Sequence, residues 1–317
     1  MITACSNRAL VLGVLGLTLV ALFLGGCNKD LKVDEPFEKG SVVTRAGDPP
    51  SFKDLAAKYN QRVAKLNSLW ARADIRLEFV DDNGDRQREE AEATLQCVLP
   101  RKFSFMISKI SEHYFTLGCD DEKYWWIDRK DSPPTIMMGR HAMATRKKAA
   151  LLGVPLLPLE MVECLGVTPL PASAKTPPTR WSPLKQSVVF VIPAGSTPDS
   201  GTIEYWIDPQ TADPRRIRIF DAKGGLTVDC HHEDIAMVKV GAGLDEATRM
   251  ASKLKVFVPQ RETILTISLN SMEHRSLNGS KAFDLAALKN AYRIDREIDV
   301  DDAVAKQNSV APAGVSR

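Results

Sequence analysis

No catalytic fingerprint and no excess of one charge sign marks this chain of 317 residues. Its 42 basic and 40 acidic side chains leave a formal charge of +2. That balance excludes the basic stripe that nucleic-acid binding or a polybasic membrane patch requires. No His-Glu-x-x-His, Gly-x-Ser-x-Gly, P-loop or dinucleotide motif occurs. The chemistries those motifs support are therefore not expected, no catalytic residue is assigned and no cofactor is implied. Beyond the opening segment, no apolar run is long enough to cross a bilayer as a helix. No repeat of fixed period appears, which excludes solenoids and propellers. The 6 cysteines lack the spacing of a small disulfide scaffold.

The opening segment is where a strong signal stands. Residues 1–9 are short and polar with Arg8 as the sole charge, and residues 10–24 form an uncharged apolar run. Leu24, Gly25, Gly26 and Cys27 follow. A leucine three places before a cysteine, with two small residues between, resembles the lipobox of bacterial lipoprotein signal peptides. The resemblance implies cleavage before Cys27, a diacylglyceryl group on its thiol and usually an acyl group, such as palmitate, on its new amine. Two or three chains, at about 0.8 kcal/mol per buried CH₂, anchor a protein where one does not. An uncleaved anchor helix is the plainer alternative. Asn28 lacks the aspartate that signals inner-membrane retention in enterobacteria, which leans the expectation to the outer membrane, facing the periplasm. Cleavage removes Arg8 and lowers the formal charge to +1.

The remaining chain divides by periodicity. Residues 27–50 are charged, carry Gly and Pro, and read as a flexible tether. Ser51 is a plausible N-cap, and Phe52, Leu55, Ala56, Tyr59, Val63, Leu66 and Leu69 recur at helical spacing. The period then becomes two, around Ile75, Leu77 and Phe79, with Asn83-Gly84 supplying a hairpin turn. Alternation continues through 91–99, 103–107, 113–117, 123–128 and 135–138. Residues 143–148 look helical, 151–167 are strongly apolar with Pro155 and Pro158, and 168–183 read as a loop. Strands resume at 188–192, 202–208, 215–221, 226–231 and 263–269. A polar tail is expected over 301–317. The expected fold is α+β and mainly β: one domain over 51–300, a curved antiparallel sheet with helices on its open side and a helical insertion at 143–167.

Four segments carry a family resemblance. They are the helix running into SLWARADIRLEF, the strand CVLPRKFSFMI, the aromatic strand KYWWIDR, and the strand-turn-strand IEYWIDPQTADPRRIRIFDAKG. Their order and spacing over roughly 52–240 resemble the LolA/LolB-like superfamily of periplasmic lipoprotein carriers and outer-membrane lipoprotein-sorting proteins. The resemblance implies an incomplete barrel around an apolar cavity that shelters acyl chains. Its walls here would be Leu77, Phe79, Leu95, Phe103, Phe105, Phe115, Leu117, Ile203, Tyr205, Ile217 and Ile219. The same residues equally suit a filled core. Leu151, Leu152, Leu156, Leu157 and Leu159 would form a lid over the barrel, in preference to a membrane-inserted loop. Implied partners are membrane lipid through acylated Cys27, acyl chains or lipoproteins as cargo, or an envelope protein.

Other clusters are weaker. Asp229, Cys230, His231, His232, Glu233 and Asp234 bring metal-ligand types together, but neighbours on a strand face opposite ways. They read as a solvated strand end, and no metal site is assigned. Trp125 and Trp126 read as one core and one rim residue. Cys97, Cys119, Cys164 and Cys230 read as buried small apolar residues, with a Cys97–Cys119 pairing across neighbouring strands as the alternative. The expected function is a membrane-anchored envelope binder of acyl chains or lipoproteins. The alternative is a sensor or scaffold that binds an envelope protein, and an enzyme ranks last.

Overall fold

Alternating apolar and polar residues assemble into one sheet of 14 strands. The computed structural model describes residues 38–302, apart from 46, 82, 110–111, 131, 152–155, 172–175, 196 and 241–246. Cys27, Leu152 and residues 303–317 lie outside the described residues.

The strands are β1 (Ser68–Val80), β2 (Arg86–Val98), β3 (Lys102–Lys109), β4 (Glu112–Cys119), β5 (Lys123–Asp128), β6 (Thr135–Arg140) and β7 (Arg180–Trp181). They continue as β8 (Val188–Pro193), β9 (Ser200–Ile207), β10 (Pro214–Asp221), β11 (Leu226–Lys239), β12 (Ala247–Val258), β13 (Thr263–His274) and β14 (Arg296–Asp299). The helices are α1 (Phe52–Val63), α2 (Arg146–Ala149), α3 (Pro158–Cys164) and α4 (Leu285–Tyr292). Two antiparallel meanders, β1–β6 and β7–β13, meet where β1 pairs with β13 in the register Ile75↔Ile267. β14 adds to β6 in parallel, and among the described residues no pairing joins the edges β14 and β7. The sheet is curved and unclosed: an incomplete barrel with helices.

Local chemistry sets the boundaries. The Ser51 hydroxyl accepts the Asp54 amide at 3.2 Å and caps α1. The helix stops at Val63 rather than near residue 69, because residues 64–66 tighten into a 3₁₀ turn and the alternation of Leu69, Ala71 and Ala73 already belongs to β1. At the first hairpin Asp81 Oδ1 accepts the amides of Asn83 and Asp85, and Gly84 takes φ of 86°. β12 was not expected from the sequence. There Met250, Leu254 and Val256 face inward while Lys253 and Lys255, on alternate positions, face out.

The C-terminal segment corrects two expectations. α4, capped by Asp284 accepting the Ala287 amide at 2.9 Å, lies on the outer face of the sheet. Leu288 there joins Trp125, Ile127 and Ile136 in a second small core. Trp125 and Trp126 are consequently both buried, on opposite faces, and neither is a rim residue. The tail does not begin at residue 301, since the Asp301 carboxylate is buried and takes Lys148 Nζ at 2.7 Å. The tether is likewise shorter than 27–50, because Glu38 is buried with its carboxylate accepting the Ser182 hydroxyl and the Leu184 amide.

Cys97 and Cys119 are not on neighbouring strands. Phe103 of β3 pairs with both, so two interstrand steps separate them. Steps of about 4.8 Å put their Cα atoms too far apart for a disulfide. All four cysteines of the domain are free and buried.

Gly139 shows how tightly the C-terminal segment docks. A Cβ there would stand 2.6 Å from Tyr124 Oη and 2.8 Å from Val300 Cγ2. Gly139→Ala is expected to lower stability by about 1–3 kcal/mol, the usual penalty of overpacking. A fall in the urea midpoint with an unchanged slope is the signature to look for.

Candidate functional site

The inner face of the sheet is apolar, and it is covered by α1 and by a short segment that includes α3. Leu95, Phe103, Phe105, Leu117, Ile203, Tyr205, Ile217 and Ile219 are all buried. Leu77, Phe79 and Phe115 are half-buried. All but Phe79 belong to, or pack on, one continuous core shared with α1 and α3. The cover runs from Leu156 through α3 to Leu170. Leu156, Leu157, Leu159, Met161, Val162 and Leu165 in it are at most 6% exposed. Of the other expected lid residues, Leu151 is exposed. Among the described residues the interior is thus filled by the protein's own side chains, and the cover is packed into it as a plug.

Aromatic rings line one wall. Phe52 of α1 meets Phe190 of β8 edge-on at 5.0 Å, and Phe190 stacks on Tyr205 of β9 at 5.5 Å. Tyr59 of α1 meets Tyr205 edge-on at 6.3 Å.

Polar contacts hold the plug. Pro158 sits in the first turn of α3, where its missing amide proton is no loss, and the Glu160 carboxylate accepts the Leu157 amide at 3.0 Å. Glu160 is also paired with Arg146 of α2, whose guanidinium donates to Thr227 Oγ1 at 2.8 Å. Burial nonetheless keeps the Glu160 carboxyl above its ordinary value. Tyr205 Oη donates to Glu163 Oε2 at 3.1 Å, and burial pushes the Glu163 carboxyl up to about 7. Asn60 clamps Leu170 through both backbone groups, at 2.8 and 2.9 Å. Arg62 donates to the Gly166 and Arg249 carbonyls at 2.7 and 3.0 Å.

The cluster at 229–234 is not a solvated strand end. Asp229, Cys230 and His232 are buried, because β11 is an interior strand of the sheet at this point. Asp229 pairs with Arg216 and with His231 on one face. His232 points the other way, toward Arg62 and Gly166, and burial holds its ring down at about 3, so it is neutral. Cys230 Sγ donates to the Cys164 carbonyl at 3.5 Å.

Sequence reasoning missed Arg62 and Glu163. Arg62 interrupts the apolar stripe of α1 three residues after Tyr59, and Glu163 is a carboxylate inside an apolar run. Both signals were there to be read. A hollow of about 640 Å³ elsewhere, on the polar outer face, is lined by Asp74, Arg76, Glu90, Glu92 and Lys253 and is unrelated to the apolar interior.

No protein-family profile matches the sequence, and no curated protein is similar to it. Solved structures do match. One is a LolA superfamily protein from Nitrosomonas europaea, 12% identical, covering 72% of this chain and 95% of that one, with a TM-score of 0.47. A DUF1329 family protein from Desulfovibrio piger is 10% identical over 75% and 97% of the two chains, with a TM-score of 0.48. An outer membrane lipoprotein-sorting protein domain from Vibrio parahaemolyticus is 11% identical over 74% and 97%, with a TM-score of 0.43.

Proposed function

We propose that this chain is an envelope protein, anchored through acylated Cys27 and probed best as an outer-membrane lipoprotein. In this reading it takes the acyl chains of a lipid or lipoprotein against its inner sheet face when α3 lifts. One observation carries it: the large apolar face is closed by α1 and one short segment, residues 156–170, and not by a second sheet.

Magnitudes make the exchange feasible. Exposing six buried side chains of the plug costs roughly 9–18 kcal/mol, at about 1.5–3 kcal/mol each. A sixteen-carbon chain recovers about 12 kcal/mol at about 0.8 kcal/mol per CH₂. One chain roughly balances the plug and two exceed it, so lipids with two or more chains are the expected cargo.

The test has two readouts. Organic extraction of the purified full chain should release non-covalent acyl lipid, identified by mass spectrometry, while the Cys27 anchor stays on the protein. Cys164 and Cys230 report on the plug. The adjacent Cys230 thiol and burial together hold the Cys164 thiol well above its ordinary value. In a variant carrying Cys97→Ser and Cys119→Ser, maleimide labelling should be slow and should speed up at least tenfold when acyl lipid is added. Lipid-free protein with labelling indifferent to lipid would sink the reading.

A further inference from the structure

Beneath the plug lies a buried cation without an anion. Arg62 is 9% exposed, its guanidinium is held by two carbonyls, and among the described residues no carboxylate lies within ion-pair distance of it. The nearest acidic group on the plug, Glu163, is engaged by Tyr205 instead. Around Arg62 several polar atoms are left over. By hydrogen-bond distance and angle, Arg62 Nε, Tyr59 Oη and both ring nitrogens of His232 are buried without a partner, while at longer range Arg62 still acts on the Tyr59 hydroxyl and the Cys164 backbone on the His232 ring. The guanidinium sits 4.7 Å over the face of the Tyr59 ring. His232 Nε2 comes within 3.1 Å of where a Gly166 Cβ would stand, on the residue whose carbonyl Arg62 holds.

Buried polar atoms are nearly always satisfied, and a buried charge without a counter-charge is rarer still. A set of donors converging on an unpaired guanidinium is the chemistry of an anion site. Closed, the Gly166 carbonyl occupies the guanidinium fork. Lifting residues 165–170 would free that fork at the inner end of the apolar face.

We infer that Arg62, with Tyr59 and His232, binds the anionic oxygens of the acyl lipid, a carboxylate or a phosphate, once the plug opens. The inference rests on the acyl-binding reading above and adds the headgroup to it. The apolar face takes the chains, and Arg62 fixes the polar end and so the direction of insertion. A guanidinium meets a carboxylate or phosphate oxygen through paired N–H donors, which a neutral hydroxyl cannot match.

The experiment is competition against a fluorescent acyl probe on the full chain in mild detergent. Two matched pairs are compared: palmitate with hexadecanol, and dipalmitoyl phosphatidic acid with dipalmitoylglycerol. The charged member of at least one pair is expected to compete about tenfold or more better, the worth of hydrogen bonds to a charged group. A preference in the first pair alone identifies a carboxylate ligand, and in the second alone a phosphate. In Arg62→Met the preference should vanish, and in Arg62→Lys it should return in part. Because the pairs are compared on the unaltered protein, the test stands even if Arg62→Met fails to fold. Equal competition within both pairs would overturn the headgroup site and leave acyl binding standing. Failure of the probe itself to bind would overturn both.

Discussion

Replacing Asp301 with alanine is expected to destabilise the domain by about 3–5 kcal/mol, although it lies sixteen residues from the C-terminus. The Lys148 and Asp301 side chains are 6% and 1% exposed and meet at 2.7 Å. Asp301 also accepts the Arg140 amide at 3.0 Å and its Nε at 3.3 Å. Burial pushes the Asp301 carboxyl up, but the hydrogen bonds from Lys148 and Arg140 outweigh it and hold the group below its ordinary value. Removing it strands the Lys148 ammonium, whose other partner among the described residues is the Met143 carbonyl. Such a half-pair costs far more than the intact pair contributes, because desolvation of the remaining charge goes uncompensated. Asp301→Asn keeps the shape and some of the acceptors, so its loss should be smaller. Urea unfolding of the two variants beside the parent decides the point. A loss below about 1 kcal/mol for Asp301→Ala would show that the C-terminal segment docks only loosely.

The second large effect is a pH dependence that belongs to Glu163. Its carboxyl is raised to about 7 by burial, against the hydrogen bond from Tyr205, while in the unfolded chain it returns to 4.5. Between those two values the folded protein holds a proton that the unfolded chain has released. Stability therefore falls as pH rises from 4.5 to 7, by about 3 kcal/mol at 1.36 kcal/mol per unit, and changes no further above 7. The groups around it do not reverse the sign. Burial and the nearby Glu163 charge keep the Tyr205 hydroxyl well above its ordinary value, and burial keeps Tyr59 protonated too, so both stay neutral through this window. Arg62 lies over the Tyr59 ring and stays charged throughout, and Thr168, which also hydrogen-bonds Glu163, does not titrate. Above pH 7 a buried charge sits in α3, which loosens the plug and should speed lipid-dependent labelling of Cys164. Glu163→Gln should flatten this part of the stability profile and remove the pH dependence of labelling beyond that of the thiolate fraction itself. A slope unchanged by the substitution would assign it to other groups.

The parts of the fold legible in the sequence are those that local pattern specifies. Leu77, Leu95, Phe105 and Ile217 announce their inward faces by period-two alternation, and Asn83-Gly84 announces its turn by backbone chemistry. Leu69 was placed on the wrong element because one residue satisfies both periods where a helix meets a strand. β12 escaped notice because its lysines alternate with apolar residues in a stretch that looks merely charged. α4 escaped because its apolar stripe, Leu285, Leu288 and Tyr292, is short and its partner, Trp125, is far away in the chain.

The candidate site divides in the same way. The apolar run at 151–167 marked itself as a cover, since so many large apolar residues need a surface to lie on. Arg62 and His232 did not mark themselves as a pair, because α1 and β11 are brought together only by the curvature of the sheet and the segment after α3.

By itself, then, the sequence determined most of the strands, the turns and the inward faces, all of which depend on neighbours within a few residues. Tertiary structure alone decided that the interior is filled by a plug. It also decided that Asp301 is a core anchor and not the start of a tail, and that a buried guanidinium stands beneath α3 without a counter-charge. Those facts depend on burial and on charges that meet across more than a hundred residues. Desolvation has no local signature in a chain, and only the folded packing sets it.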